Sequence, residues 1–271
     1  LEGALIQSAN DAADALADYV GHGNRARFVA MMNRRARQLG LTQTHFVRPD
    51  GLDAPGHVSS ARDLTTLARI VMNKPFVRRT VRLESATIAG GRHLTTWNDL
   101  LSTFPGVIGV KTGHTSNAGW CQVAAVRGSG LTVYATILGE PTRAQRNADL
   151  AALLRWGLSR YRLATVISPR VAYASVGTPF GRGHVRLVAA RPVRASVRVG
   201  RKLRAEIVAP TMVALPVERG EAYGEVKVYD RSRLVASAPL VAARSVGSPG
   251  LPARAGWYAN QMGEKIVGWL P

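Results

Sequence analysis

An α+β fold is predicted for this 271-residue chain from three observations. Helical periodicity occupies residues 1–45 and resumes after Ser60, hairpin-forming strands follow, and short β-type segments with no helical period dominate beyond about residue 163. Helices first and strands afterwards argue against alternating βαβ units. The length admits one large domain or two ordinary ones, and 46% apolar content supports packed cores.

In the first helical stretch Ala12, Leu16 and Val20, then Phe28, Met31, Met32, Ala36 and Leu39, recur at three-to-four spacing. Gly21, Gly23 and Asn24 divide it into two helices, and Arg48-Pro49-Asp50-Gly51 signals a turn. Ser60 with Asp63 reads as a capping box opening a third helix on Leu64, Leu67, Ile70 and Val71, which Pro75 ends. Gly90-Gly91 marks a hairpin between two short β segments. Strands at 107–112, 120–126 and 131–138, the last two joined by a glycine-containing turn, form an antiparallel meander. An amphipathic helix over 140–160 carries Leu150, Leu153, Leu154 and Trp156.

From there the pattern predicts strands at 171–176, 184–189, 203–208, 224–229 and 234–242, a separate small β-sandwich or barrel. Residues 257–270 set Tyr258, Met262, Ile266, Trp269 and Leu270 on one helical face, either docking on the β-domain or lying on a membrane surface. The expected domains are therefore 1–162, 163–251 and a tail at 252–271.

Lys plus Arg number 36 against 17 Asp plus Glu, a formal charge of +19, which favours anionic surfaces. The basic residues are scattered, with no basic run interleaved with aromatics, so nucleic acid is not an expected partner. A single cysteine, Cys121, excludes an internal disulfide and reads as a small buried hydrophobe. His45 and His57 flank Asp50 and Asp53 at a spacing that fits no ligand pattern, so neither metal nor other cofactor is expected. No run of 18 apolar residues occurs.

Two short motifs carry chemistry. Lys111-Thr112-Gly113 follows the apolar run 107–110, and Ser8-Ala9-Asn10 opens the first helix. Ser-x-x-Lys, Ser-x-Asn and Lys-Thr-Gly form one acyl-transfer set, yet no serine here is followed three residues later by lysine. On a sheet edge the Lys111 ammonium and Thr112 hydroxyl can hold a C-terminal carboxylate. Gly113 would let a peptide lie close to the strand, and the His114 backbone N–H could meet a developing oxyanion. The plainer alternatives are an edge-strand charge for Lys111 and an ordinary helix N-terminus for Ser8 and Asn10.

The order of elements is more specific than either tripeptide. Residues 7–11, Phe28-Val-x-Met-Met-Asn33, Leu39-Gly-Leu-x-x-Thr-His-Phe46, Asp50-Gly-Leu-Asp53, residues 57–64 and residues 107–115 together resemble the serine-type D-alanyl-D-alanine carboxypeptidases, the low-molecular-mass penicillin-binding proteins. The resemblance implies a penicillin-binding/beta-lactamase-like transpeptidase domain, an antiparallel sheet with helices but without its first strands, followed by a small all-β domain. It implies Ser8 as proton relay, Asn10 as ligand of the substrate amide, Lys111 and Thr112 as carboxylate clamp, Gly113 as the close-approach position and His114 as backbone oxyanion donor. The implied partners are the peptidoglycan pentapeptide, which loses its terminal D-alanine, and beta-lactam antibiotics, with peripheral membrane contact through the tail. The implied location is extracytoplasmic, with a signal peptide upstream. The nucleophilic serine and its lysine are expected in an upstream segment, leaving the 271 residues inactive alone. The alternative is a non-catalytic cell-wall binding protein.

Overall fold

The computed structural model describes residues 1–257. The described residues divide into two compact units, Leu1–Arg160 and the residues from Tyr161 on. The fold is α+β. In the first unit a π-helical turn (Gly3–Gln7) leads into α1 (Asn10–Gly21), α2 (Arg25–Gln38), α3 (Ala61–Val71) and α4 (Pro75–Thr80). The hairpin β1 (Ser85–Thr87) and β2 (His93–Thr95), the short α5 (Leu100–Thr103), the strands β3 (Val107–Thr115), β4 (Gly119–Gly128) and β5 (Leu131–Glu140), and α6 (Arg143–Arg160) complete it.

Local chemistry explains several boundaries. The Asn24 side chain accepts from Arg27 N–H and starts α2; Ser60 accepts from Asp63 N–H and starts α3. Asp63 is itself buried and accepts from Gln43 N–H and the Thr44 hydroxyl, so the cap also fixes the loop ahead of it. Asn33 binds Phe46 through both its N–H and its C=O, tying α2 to the same loop.

The antiparallel sheet has the order β3-β4-β5, with Thr112 opposite Gln122 and Gly113 opposite Cys121, so β3 is an edge. Its first four residues are buried and its last five are not, which turns the polar half outward. Ala68 and Met72 pack with Ile108, Val110, Val123 and Ala125, while Leu150 and Leu154 of α6 pack with Val107, Ala124 and Val126. Gly157 has a packing reason: a Cβ there would stand 2.7 Å from Val133 Cγ1. Leu154 is fully buried, and Leu154→Ala is expected to destabilise this unit by about 2–5 kcal/mol, seen as an earlier thermal transition.

The expected apolar stripe of α6 needs correction. Leu153 is 38% and Trp156 52% exposed, whereas Arg146 is completely buried. The buried face is the i, i+4 row Arg146, Leu150, Leu154, and Leu153 and Trp156 fall progressively away from it.

The second unit holds β6 (Tyr161–Ile167), β7 (Ala172–Gly177), β8 (His184–Ala189), β9 (Val193–Arg198), β10 (Arg204–Val208), β11 (Ala222–Asp230) and β12 (Arg233–Ala242). Five strands order as β10-β11-β12-β8-β7 and two pair as β6-β9, all antiparallel, over one core that includes Ile167, Val185, Leu187, Val226 and Leu240. Sequence reasoning missed β6 and β9. Arg162, Arg194 and Arg198 break the apolar runs there; β9 turns only alternate positions inward, and β6 buries only Ile167 fully. The amphipathic stripe expected from Tyr258 to Leu270 lies outside the described residues.

Candidate active site

The π-helical turn ends at Ser8, which adopts φ 60°, ψ 37°, a left-handed conformation uncommon for a serine. Non-glycine residues in such conformations cluster at functional sites. The reversal aims the Ser8 hydroxyl at β3, where it accepts a 2.6 Å hydrogen bond from Lys111 Nζ. Trp97 Nε1 donates to the carbonyl of Gln7, 3.1 Å away, and secures the same turn from outside.

Asn10 is the first residue of α1, whose N-cap is Ala9 with no side-chain cap. The capping alternative for Ser8 and Asn10 therefore fails: neither side chain bonds the helix terminus. Asn10 Nδ2 donates instead to the Asp50 carbonyl at 3.1 Å. Arg48 binds both Asp50 carboxylate oxygens, at 2.5 and 2.6 Å, and holds that carboxyl below the usual carboxylate range.

The edge-charge alternative for Lys111 fails likewise, because Nζ turns inward. Besides Ser8 it donates to the Thr112 carbonyl at 2.7 Å, and no carboxylate pairs with it among the described residues. Burial lowers its pKa to about 8. The result is a desolvated cation without a counter-ion, hydrogen-bonded to a hydroxyl.

Ser8, Asn10, Lys111, Thr112, Gly113 and His114 all line one cavity of about 430 Å³. Sequence reasoning missed three other lining residues, Trp97, Trp120 and Arg146. Trp120 lies against the His114 ring at 4.1 Å, and the Arg146 guanidinium sits 5.6 Å from the Trp120 ring centre. Arg146 is held by Asn147 Oδ1 (2.7 Å), the Trp97 carbonyl (3.3 Å) and Asp99 (3.4 Å). One signal was available: an arginine four residues before Leu150, in the row that α6 buries. Cys121 corrects another expectation. It is half-buried, and its thiol donates to the Ala118 carbonyl while accepting from Gly139 N–H.

Residues 1–142 match the family model of peptidase S11, D-alanyl-D-alanine carboxypeptidase. The chain belongs to this family. Among S11 relatives, the D-alanyl-D-alanine carboxypeptidase DacD of Salmonella typhimurium is 32% identical over 94% of this chain and 67% of its own length. Penicillin-binding protein 6B from Escherichia coli superposes with a TM-score of 0.65 at 30% identity, covering 89% of this chain and 67% of that one. The cefotaxime-bound penicillin-binding protein D2 from Listeria monocytogenes gives a TM-score of 0.53 at 34% identity, covering 58% and 64%. This S11 chain spans about two thirds of the length of the curated relatives it matches. No described helix is long and apolar enough to cross a membrane.

Proposed function

We propose that the cavity recognises the terminal D-alanyl-D-alanine of a peptidoglycan stem pentapeptide, as part of a serine-type D,D-carboxypeptidase acting outside the cytoplasm. The 2.6 Å contact between Lys111 Nζ and Ser8 Oγ carries this reading, since it joins two motifs 103 residues apart inside one cavity. The substrate carboxylate would meet the Lys111 ammonium and the Thr112 hydroxyl, with Arg146 as a second cation behind them. Asn10 spends its N–H on Asp50 and keeps Oδ1 to accept from a substrate amide. Ser8 accepts from Lys111, so its own proton is free to pass to the leaving amine, and a lysine with a pKa near 8 can replace it.

Two backbone features support a peptide laid along β3. Nothing stands within 4 Å of where a Gly113 side chain would be, and the adjacent His114 N–H is the candidate donor to the oxyanion. A beta-lactam carboxylate would use the same clamp, in keeping with the cefotaxime-bound relative. No serine of the 271 residues has lysine three positions later, so these residues supply recognition and proton relay. By the family's motif pattern, the acyl-accepting serine and its lysine base would come from outside these 271 residues.

The test is incubation with a fluorescent penicillin and with diacetyl-lysyl-D-alanyl-D-alanine. The expected result is reversible binding of both, with no covalent label and no released D-alanine. Covalent labelling would contradict the placement of the nucleophile elsewhere; no binding of either would overturn the recognition reading.

A further inference from the structure

Charge in the second unit is segregated along the chain. Residues 161–205, from the start of β6 to the start of β10, contain nine arginines and one lysine and no aspartate or glutamate. The carboxylates among the unit's described residues all follow, from Glu206 to Asp230. Of the ten cations Arg201 pairs with Asp230 and Arg204 with Glu206. The others meet no carboxylate among the described residues.

The fold puts these cations on outward rows. In β9 Val197 is buried and Val193 and Ala195 are half-buried, so Arg194, Ser196 and Arg198 form the opposite row. Arg194 stands across from Thr165 of β6, and Arg198 across from Tyr161. In β8 Val185, Leu187 and Ala189 are buried, which turns Arg186 outward, opposite Ser175 of β7. Arg244 donates to the His184 carbonyl at 3.2 Å and adds a second guanidinium two residues along that strand. The acid-bearing strands β10 and β11 lie at the other edge of the five-stranded sheet from β8 and β7.

Both sheets turn their apolar rows to one core, so the β9 row and the β8 row face opposite sides of the unit. A flat anionic membrane can meet only one of them at a time, whereas a flexible polyanion can follow both. Arginine presents a planar fork of donors that matches phosphate, and the hydroxyls of Thr165, Ser175 and Ser196 stand in the same rows. Tyr161 is the one aromatic residue in these rows, too few to stack successive nucleobases. We propose that the outward faces of β6–β9 and β7–β8 bind a flexible polymer of phosphodiester-linked polyols in the cell envelope, through Arg186, Arg194, Arg198 and Arg244. From the reading above this takes only the location outside the cytoplasm and nothing from the cavity.

The experiment is calorimetry of the full chain with a synthetic glycerol-phosphate oligomer of about ten units, at salt concentrations from about 50 to about 200 mM. Affinity should fall linearly with salt on logarithmic axes. Replacing Arg186, Arg194 and Arg198 together by Gln should lower that slope by about two and the affinity at about 100 mM salt by about tenfold. Replacing Arg219, Arg231 and Arg233 by Gln removes the same charge outside the acid-free stretch and should change the affinity by less than about threefold. Arg194→Gln alone should lower the slope by about 0.7, which keeps the test decisive if the triple variant does not fold. Equal losses in the two triple variants, or an oligomer that does not bind the unsubstituted chain, overturns the proposal and leaves the cavity reading untouched. Tighter binding of a single-stranded DNA with the same number of phosphates would overturn it in favour of nucleic acid. A larger loss, in the first triple variant, of binding to phosphatidylglycerol vesicles than to the oligomer would overturn it in favour of a membrane.

Discussion

Lys111→Met is expected to reduce the affinity for a D-alanyl-D-alanine peptide by about a hundredfold while leaving the fold intact. A hydrogen bond to a charged group contributes about 1.5–3 kcal/mol, and this ammonium has no competing counter-ion. Methionine fills similar volume without the charge, and Ser8 remains able to bond water. Calorimetry with the acetylated tripeptide measures the change; affinity within threefold of the unsubstituted chain would remove Lys111 from the clamp. The pH dependence has a definite sign. The protonated lysine is the binding form, so affinity should be constant below about pH 8 and fall as pH rises through it. Stability should move oppositely. The folded lysine titrates near 8 and the unfolded one near 10.5, so the unfolded state binds more protons between those values and stability rises across that window. Lys111→Met should abolish both effects.

Asp99→Ala is expected to produce the largest loss of stability, about 3–5 kcal/mol in the unit formed by residues 1–160. Asp99 accepts from Arg143 through both guanidinium branches and from Asn147, and it stands 3.4 Å from Arg146, whose side chain is 1% exposed. Removing the carboxylate leaves Arg146 charged in the interior with only Asn147 and a carbonyl to hold it. The bonds from Arg143 above all hold the Asp99 carboxyl below the ordinary range. Its contribution is therefore present above the unfolded carboxylate pKa, near 4, and disappears as pH falls through the lower folded value. Thermal unfolding from pH 7 to pH 3 should show a steeper acid loss in the unsubstituted chain than in Asp99→Ala. Parallel curves would mean that Asp99 titrates normally. Because Arg146 lines the clamp, the same substitution should weaken peptide binding even where the chain is fully folded.

Much of this architecture was legible because local signals agree with tertiary position. The Ser60–Asp63 cap, the Gly90-Gly91 hairpin and the meander ending on β5 each depend on neighbours close in sequence. The six motif residues around the cavity could be named because their order along the chain is shared with a family. The missed residues are those whose roles are long-range. Arg146 looks like a solvated helix charge until Asp99 is brought to it from 47 positions away, and Trp97 looks like a strand-end aromatic until it reaches Gln7 across 90. Asp53 stands in the sequence only as a carboxylate between two histidines without ligand spacing, and its tie to Thr115 across 62 positions has no local trace. In the second unit β6 and β9 escaped because arginine interrupts their short apolar runs and β6 has no alternation of burial to be read.

The most direct measurement is a crystal structure of the chain soaked with diacetyl-lysyl-D-alanyl-D-alanine. The peptide is expected to lie extended along β3, its terminal carboxylate within hydrogen-bonding distance of Lys111 Nζ and the Thr112 hydroxyl, and a substrate amide against Asn10 Oδ1. A peptide bound with its carboxylate away from Lys111, or one that binds with its N-terminus at the clamp, would contradict it.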